Sequence, residues 1–239
     1  MKNKILITIC ARGGSKGLKN KNIKLLDNLP LIVYSINIAK EFSKIYQADI
    51  AISSDSKEIL KIASKNELVT NYVRPKHLSG DNAGKVETIE HLIHYEEKLK
   101  TKKYDIILDL DVTSPLRTLE DLTLAYEKLI NNKTSLNIFS VSNCAKNPYF
   151  NMVELNNNEF AHLVKKGKFL TRQSAPKVYE LNASFYFYKR KFFELKHKNV
   201  ITDKSLIYII DHICFDIDHT IDFEFMNYLI KNNKLNFKF

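Results

Sequence analysis

The amino-acid sequence predicts an α/β fold, with a mostly parallel sheet covered by helices on both faces and a small β-rich arm. Strand-like and helix-like segments alternate along residues 5–141, which is the order that builds a parallel sheet. The first strand, Ile5–Cys10, is an apolar run interrupted only by Thr8, as is typical of a strand buried on both faces. After residue 143 the alternation stops. We therefore predict one domain over residues 1–239, with an inserted arm at about 143–180.

Local signals place the elements of the alternating part. Pro30 fits the first turn of a helix, and apolar residues follow at helical spacing as far as Phe42. The tetrapeptide Asp55-Ser56-Lys57-Glu58 has the form of a capping box and opens the next helix. The predicted strands are 5–10, 48–53, 68–73, 104–110 and 136–141, and the predicted helices are 30–42, 55–66, 85–98 and 119–131.

The remainder of the chain carries mainly β signals. The predicted elements are, in order, a turn at 147–150, a hairpin of strands 152–155 and 160–164, an irregular stretch at 167–176, strands at 181–188 and 207–210, and a helix from Ile221. The hairpin strands have edges that need a partner. Because Phe150, Met152 and Phe160 also make this arm apolar, we expect it to pair with a second copy of the chain in a homodimer.

Composition limits the kinds of partner. The formal net charge of +10 would suit nucleic acid, but the lysines are spread over the whole sequence, and we expect no nucleic-acid partner. No apolar run is long enough to span a bilayer, and residues 1–4 lead into a strand without a signal-peptide cleavage region. The three widely spaced cysteines fit neither a disulfide framework nor a zinc motif. We therefore expect a reduced cytoplasmic protein with no membrane association.

A basic, glycine-rich loop follows the first strand. It reads Ala11-Arg12-Gly13-Gly14-Ser15-Lys16-Gly17, and Lys21 and Asn22 come shortly after. Glycines let backbone N–H groups approach an anion closely, and the basic side chains add positive charge. The glycine spacing matches neither the P-loop nor the dinucleotide-binding motif. The loop predicts a phosphate site at the carboxyl end of the strand, and the alternative is an ordinary strand-to-helix turn with surface lysines.

Two pairs of aspartates follow apolar strands with one residue between the partners. The pairs are Asp109 with Asp111 and Asp216 with Asp218. In an extended chain such residues share a face, and two carboxylates on one face suit a hard cation such as Mg²⁺. The alternative for either pair is a strand-end or helix-capping role. Next to a phosphate loop, the pairs favour a magnesium-dependent enzyme that acts on a nucleotide, because cations neutralise the charge on a transferred phosphoryl group.

Several segments, in this order, resemble the motifs of the acylneuraminate cytidylyltransferases, the CMP-sialic acid synthetases. They are the glycine-rich loop with Lys21-Asn22, Arg74-Pro75 with Leu78 and Asp81, Thr113-Ser114-Pro115-Leu116-Arg117, Thr171-Arg172-Gln173, Asn182, and Asp216-Ile217-Asp218. The resemblance spans most of the chain. Residues 147–152 and 172–184 are most similar to the flagellin-glycosylation branch, which activates legionaminic acid, a nine-carbon sugar acid.

The resemblance implies a Rossmann-like nucleotidyltransferase, a homodimer, and a reaction of a 2-keto nine-carbon sugar acid with CTP, with Mg²⁺ as cofactor. It implies catalytic roles for Arg12, Lys21 and Asp218, and a magnesium site at Asp216 and Asp218. The implied CTP ligands are Arg12, Gly13, Gly14, Ser15, Lys16, Lys21, Asn22, Arg74, Asp81 and Asn82. The implied sugar-site residues are Asp111, Thr113, Ser114, Arg117, Arg172, Gln173, Asn182 and Tyr186. We expect Arg172 to reach the sugar pocket of the neighbouring subunit, and the alternative is that it serves its own.

The chain departs from the family pattern in two places. Asp111-Val112 stands where the family commonly has Gln-Pro, which leaves Asp111 as a contact for either Mg²⁺ or a sugar hydroxyl. Residues 148–151 lack the lysine that many sialic acid synthetases carry there.

Three rival functions remain: activation of N-acetylneuraminate, activation of an eight-carbon octulosonate, and a catalytically silent nucleotide-binding protein. The paired glycines Gly13-Gly14 argue against the octulosonate enzyme, whose loop is usually richer in Pro and Arg. The presence of Arg12, Lys21 and the Asp216–Asp218 pair argues against the silent protein.

Overall fold

The computed structural model describes residues 3–14 and 17–238. The strands are β1 (Ile5–Cys10), β2 (Leu25–Leu26), β3 (Leu29–Pro30), β4 (Asp49–Ser53), β5 (Ile106–Leu110), β6 (Asn137–Asn143), β7 (Val153–Leu155), β8 (Ala161–Leu163), β9 (Tyr179–Lys189) and β10 (Ser205–Ile209). The helices are α1 (Leu31–Tyr46), α2 (Lys57–Lys65), α3 (Lys85–Lys100), α4 (Leu119–Asn131), α5 (Arg190–Glu194) and α6 (Thr220–Lys231). Short 3₁₀ turns cover Lys21–Ile23 and Lys76–Leu78.

Six of these strands form one central sheet in the order β10-β6-β9-β5-β1-β4. Strand β1 runs parallel to both β4 and β5, and β10 runs parallel to β6. Strand β9 is antiparallel to both of its neighbours, β5 and β6. Five strands therefore end at the same edge of the sheet, and the loops that follow them meet there. The predicted mostly parallel α/β fold is confirmed.

Both faces of the sheet are buried, as the continuous apolar run of β1 predicts. Ile5, Ile7 and Ile9 pack in a hydrophobic cluster with residues of α1, α2, α4 and α6, whereas Leu6 packs on the other face with residues of α3 and α5. A strand whose successive side chains enter opposite cores cannot change register without exposing one set to water. This packing fixes the point at which the chain leaves β1 and enters the glycine-rich loop.

One predicted strand is wrong. Residues 68–73 alternate between buried and exposed side chains, but they form no strand. The alternation is satisfied by packing instead: the ring of Tyr72 contacts the rings of His91 and Tyr95 on α3. Strands β2 and β3, a short antiparallel pair before α1, and the short helix α5 were not predicted.

The hairpin predicted in the arm is confirmed as strands β7 and β8, which pair only with each other within the described residues. They form a sheet of their own outside the central one. Strand β9 then returns to the centre through a bulge opposite Phe139 and Val141, where Ala183 takes a positive φ of 58°. No described helix is both long and apolar enough to cross a membrane.

Candidate active site

A cavity of about 580 Å³ opens where β1, β5 and the segment after β10 end. Loops after neighbouring parallel strands converge at this edge, which is where open α/β sheets bind ligands. Its walls come from five separate stretches of sequence. Among the residues that line it are Cys10, Arg12, Gly17, Lys21, Asn22, Arg74, Asp81, Ala83, Lys85, Thr88, Asp111, Thr113, Asp218 and His219.

The glycine-rich loop contacts other segments closely on both sides of its undescribed residues, at Gly13 and at Gly17. The backbone N–H of Gly13 donates a 2.8 Å hydrogen bond to Oδ1 of Asp55. A Cβ atom on Gly17 would lie 2.1 Å from the carbonyl oxygen of Asp218, so only glycine fits there. The glycine at position 17 therefore lets the loop meet the aspartate pair. Ser15 and Lys16, two predicted phosphate ligands, lie outside the described residues.

Asn22 connects this loop to the cavity wall. Its side-chain amide donates a 2.9 Å hydrogen bond to the carbonyl oxygen of Arg12. Its Oδ1 atom is buried and has no hydrogen-bond partner within the described part of the chain. A buried acceptor without a partner is unfavourable by about 1–3 kcal/mol, so a bound donor at this point would be stabilising.

Two arginines face the cavity from different environments. Arg12 is about one-third exposed and its Nη1 lies 2.9 Å from Oδ1 of Asp81. Arg74 is buried, and its Nε and Nη2 atoms each donate a 2.8 Å hydrogen bond to Ser53, to the hydroxyl and the carbonyl oxygen respectively. Arg12 can exchange its partner for a ligand, whereas Arg74 is held in place by the end of β4. Asn82 is exposed next to Asp81 and does not line the cavity.

Lys21 and Asp218, the second member of the Asp216–Asp218 pair, line another wall of the cavity. Lys21 Nζ lies 3.6 Å from Oδ1 of Asp218 and donates a hydrogen bond to the carbonyl oxygen of Ile217. Asp218 is exposed, whereas Oδ1 of Asp216 is buried and lacks a partner among the described residues. Burial, together with the facing charge of Asp111, raises the pKa of Asp216 above its usual value.

This wall fits a divalent cation with few protein ligands. Within residues 3–14 and 17–238, no three or more His, Cys, Asp or Glu side chains are grouped closely enough to hold a metal ion. Mg²⁺ is usually bound through one or two carboxylates, and water and substrate phosphates complete its octahedron. The unpartnered oxygen of Asp216 and the exposed carboxylate of Asp218 meet that requirement.

Lys85 is a cavity residue that the sequence analysis missed. Its Nζ lies 2.7 Å from Oδ2 of Asp111, 3.1 Å from Oδ2 of Asp109 and 4.5 Å from the ring centre of Tyr186. The pair of Asp109 and Asp111 therefore holds a partly exposed lysine of the same chain. One signal could have found it: a lysine in the first turn of a helix opposes the helix dipole, so another interaction must favour it there.

The turn after β5 is built around a buried arginine. Arg117 donates to Ser184 Oγ at 3.0 Å and to the carbonyl oxygens of Asp111 and Ser114. Burial lowers the pKa of Arg117 to about 10. Thr113, which lines the cavity, donates through its N–H and hydroxyl to Oδ1 of Asp111. The turn thus fixes the position of the Asp111 carboxylate.

Four of the predicted sugar-site residues lie inside the protein. Ser114, Arg117, Asn182 and Tyr186 are all buried and are not among the residues that line the cavity. The amide of Asn182 is used within the bulge of β9, where its Oδ1 accepts from Ser140 and its Nδ2 donates to Ser142. These residues support the walls from behind.

The predicted residues of the arm are not brought to the cavity of their own chain. Arg172 and Gln173 are exposed in the irregular stretch after the hairpin and do not line the cavity. Within the described residues, no hydrogen bond or ion pair involves the guanidinium of Arg172.

Comparisons with known proteins agree with this geometry. Residues 6–235 match the family model described as "Cytidylyltransferase". The chain is 39% identical to the post-translational flagellin modification protein B of Campylobacter coli, over 99% of both chains. It is 40% identical to the CMP-N,N′-diacetyllegionaminic acid synthase of Campylobacter jejuni subsp. jejuni, over 97% of both chains.

A solved structure of CMP:2-keto-3-deoxy-manno-octonic acid synthetase complexed with CTP has the same fold. It superimposes with a TM-score of 0.69 over 96% of this chain and 99% of that one, at 13% identity. The family resemblance of the sequence motifs is thus confirmed over nearly the whole chain, and residues of four of those motifs line the cavity: Arg12, Arg74, Thr113 and Asp218. The chain belongs to the cytidylyltransferase family.

Proposed function

We propose that the chain transfers CMP from CTP to a nonulosonic acid, and that N,N′-diacetyllegionaminic acid is its preferred substrate. The observation that carries this proposal is that three distant segments meet in one cavity: the glycine-rich loop, the Arg74–Asp81 segment and Asp218 with His219. The choice of sugar acid is supported by the relative that is 40% identical and carries that substrate in its name.

The reaction exchanges one phosphorus–oxygen bond for another. The anomeric hydroxyl oxygen of the sugar acid bonds to the α-phosphorus of CTP, the bond from that phosphorus to the bridging oxygen breaks, and pyrophosphate leaves with the electron pair. The hydroxyl proton passes to a base, and Asp218 is the exposed carboxylate at the cavity that we assign to this role. The enzyme mainly positions the two substrates and stabilises charge.

Cationic groups around the cavity would bind the triphosphate. We assign Arg12 and Lys21 to the phosphates, together with Ser15, Lys16 and the backbone N–H groups of the glycine-rich loop. Arg12 pairs with Asp81 and the Gly13 N–H with Asp55, so both groups would exchange these partners for phosphate oxygens when CTP binds.

The cytosine base and the ribose of CTP would contact residues outside the glycine-rich loop. We assign cytosine to the segment from Arg74 to Asn82, and the unpartnered Oδ1 of Asn22 to a donor on CTP. Asp216 and Asp218 would hold Mg²⁺, which when bound supplies positive charge that neutralises the phosphates.

We further propose that the chain is a single domain whose arm at 143–180 joins two copies and lends Arg172 to the partner's sugar pocket. Support comes from the exposed apolar side chains of the arm, such as Phe160 and Leu170, which would be buried between two arms. The free guanidinium of Arg172 suits the carboxylate of a sugar acid. Three unpaired cysteines fit a cytoplasmic enzyme.

The test is release of pyrophosphate from CTP with a panel of sugar acids. The panel contains N,N′-diacetyllegionaminic acid, N-acetylneuraminic acid and the eight-carbon octulosonate, each with and without Mg²⁺. We expect fastest release with the first, and no release after chelation of the metal. Release with none of the three sugar acids would favour a catalytically silent protein. Release with the octulosonate alone would identify the chain as an octulosonate-activating enzyme.

A further inference from the structure

Lys85 lies between the carboxylates of Asp109 and Asp111, and it has no role in the reaction described so far. Lys85 Nζ is 3.1 Å from Asp109 and 2.7 Å from Asp111, and it lies over the ring of Tyr186. Asp109 is fully buried, so removal of the lysine would leave a buried carboxylate without a counter-ion. Lys85 also lines the cavity, which a purely structural ion pair does not require.

Both oxygens of Asp111 are occupied by the protein. Oδ2 accepts from Lys85, and Oδ1 accepts from the N–H and the hydroxyl of Thr113. The charge of Lys85 outweighs burial and lowers the pKa of Asp111 to about 2. Asp111 is therefore charged, fixed in orientation and already neutralised. Oδ1 of Asp216, which faces it, has no such partner in the described residues.

We propose that Lys85 is a positioning residue that takes the place of a metal ion at Asp111, so that Mg²⁺ is confined to Asp216 and Asp218 while Asp111 stays a fixed acceptor for a substrate hydroxyl. The inference rests on the proposed function for the identity of the substrate. It resolves the two roles that the sequence leaves open for Asp111, in favour of the hydroxyl contact.

The geometry explains why this lysine stands at the start of a helix. A cation in the first turn of α3 is disfavoured by the helix dipole. Two charge-assisted hydrogen bonds and a cation–π contact outweigh that cost. Without the lysine, the carboxylates of Asp109 and Asp111, which both lie within reach of its Nζ, would have no shared cation, and two such carboxylates suffice for a divalent ion whose other ligands are water or phosphate.

Binding of Mn²⁺ to the nucleotide-free protein tests the inference without turnover. In Lys85→Gln, which removes the charge, we expect Mn²⁺ affinity to rise about tenfold or more, and the added substitution Asp111→Asn should remove that gain. Lys85→Arg should behave as the wild type. Lys98→Gln, an exposed position on the same helix, is the matched control and should change nothing. No gain in Lys85→Gln would overturn the proposal.

A second measurement covers the case in which Lys85→Gln does not fold. With CTP present, Asp111→Asn alone should alter Mn²⁺ affinity by less than about twofold, whereas Asp216→Asn should weaken it by about tenfold or more. Equal losses in the two variants would make Asp111 a metal ligand and overturn the proposal. Failure of pyrophosphate release with every sugar acid would sink the proposed function but leave both metal-binding results to decide the role of Lys85.

Discussion

The cavity at the strand ends and the arm at residues 143–180 differ in how far their side chains find partners within one chain. In the cavity, several polar groups pair within the same chain, such as Arg12 with Asp81 and the N–H of Gly13 with Asp55. In the arm, Phe160 is 70% exposed and Leu170 is 93% exposed. The described walls of the cavity all come from one chain, whereas the arm exposes apolar side chains that a second surface would bury.

The largest effect is expected at the aspartate pair of the cavity. Asp218→Asn should reduce turnover on the order of a thousandfold, because it removes the proposed metal ligand and the proposed base while it preserves the shape of the side chain. Turnover and circular dichroism of the purified variant would be measured together. The matched control is Asp203→Asn, an exposed aspartate before β10. Near-normal turnover of Asp218→Asn at low Mg²⁺ would contradict the assignment.

The second effect concerns the arm. Arg172→Ala and Asp218→Asn chains should each be inactive alone, but a mixed dimer should have one intact site if Arg172 acts across the interface. Random exchange of equal amounts should then recover about one quarter of wild-type activity, because half of the dimers are mixed and each has one working site. If mixed dimers are shown to form and no activity returns, Arg172 serves its own subunit.

A smaller effect is expected for the arginine of the glycine-rich loop. Arg12→Ala should raise the Michaelis constant for CTP by roughly 10- to 100-fold, since a guanidinium–phosphate contact contributes about 1.5–3 kcal/mol, and should change that for the sugar acid much less. Steady-state kinetics with each substrate varied would measure both. Lys19→Ala, an exposed cation in the same loop, is the control. A rise confined to the sugar acid would place Arg12 in the other half of the site.

The smallest expected effect is on stability and concerns the contact between His212 and Asp121 of the same chain. Burial alone would lower the pKa of His212, but hydrogen bonds with Asp121 and the Ile213 carbonyl outweigh it and raise the pKa above its usual value. The stabilisation is therefore complete below pH 6.5 and is lost as the pH rises through the folded-state pKa. His212→Gln should lower the free energy of unfolding by about 1 kcal/mol at pH 6 and by less at pH 8.5.

Denaturation at two protein concentrations would measure the effect of His212→Gln and separate it from any stability that comes from paired arms. The pH-dependent difference between wild type and His212→Gln should not change with concentration, whereas stability that comes from paired arms should. If His212→Gln destabilises the protein more at pH 8.5 than at pH 6, the pH dependence is opposite to the predicted one and the charged histidine is not stabilising.

Local sequence signals were enough for much of the cavity. The apolar run of β1 and the glycine-rich loop are contiguous, so their relation can be read directly, and helix α4 has the predicted bounds because Thr118 and Asp121 form a capping box. Asp216 and Asp218 are likewise close in sequence, with one residue between them. Parallel strands that end at one edge then bring these separate segments together.

Contacts between distant residues could not be predicted in the same way. Strand β9 enters the sheet between β5 and β6 in the antiparallel direction, and no local pattern specifies its neighbours. Lys85 reaches Asp109 and Asp111 from 24 and 26 residues away, and Arg12 reaches Asp81 from 69 residues away. Side chains expected at the sugar, such as Asn182, proved to be buried because the bulge of β9 uses their polar atoms.

The most direct test of the account is a one-pot competition. Equal concentrations of N,N′-diacetyllegionaminic acid and N-acetylneuraminic acid are supplied with CTP and Mg²⁺, and the initial amounts of the two CMP-sugars are measured by mass spectrometry. We predict an excess of the legionaminic product of about tenfold or more, the range that differences of small groups in a pocket produce. A tenfold excess of CMP-N-acetylneuraminate, or no CMP-sugar of either kind, would contradict the account.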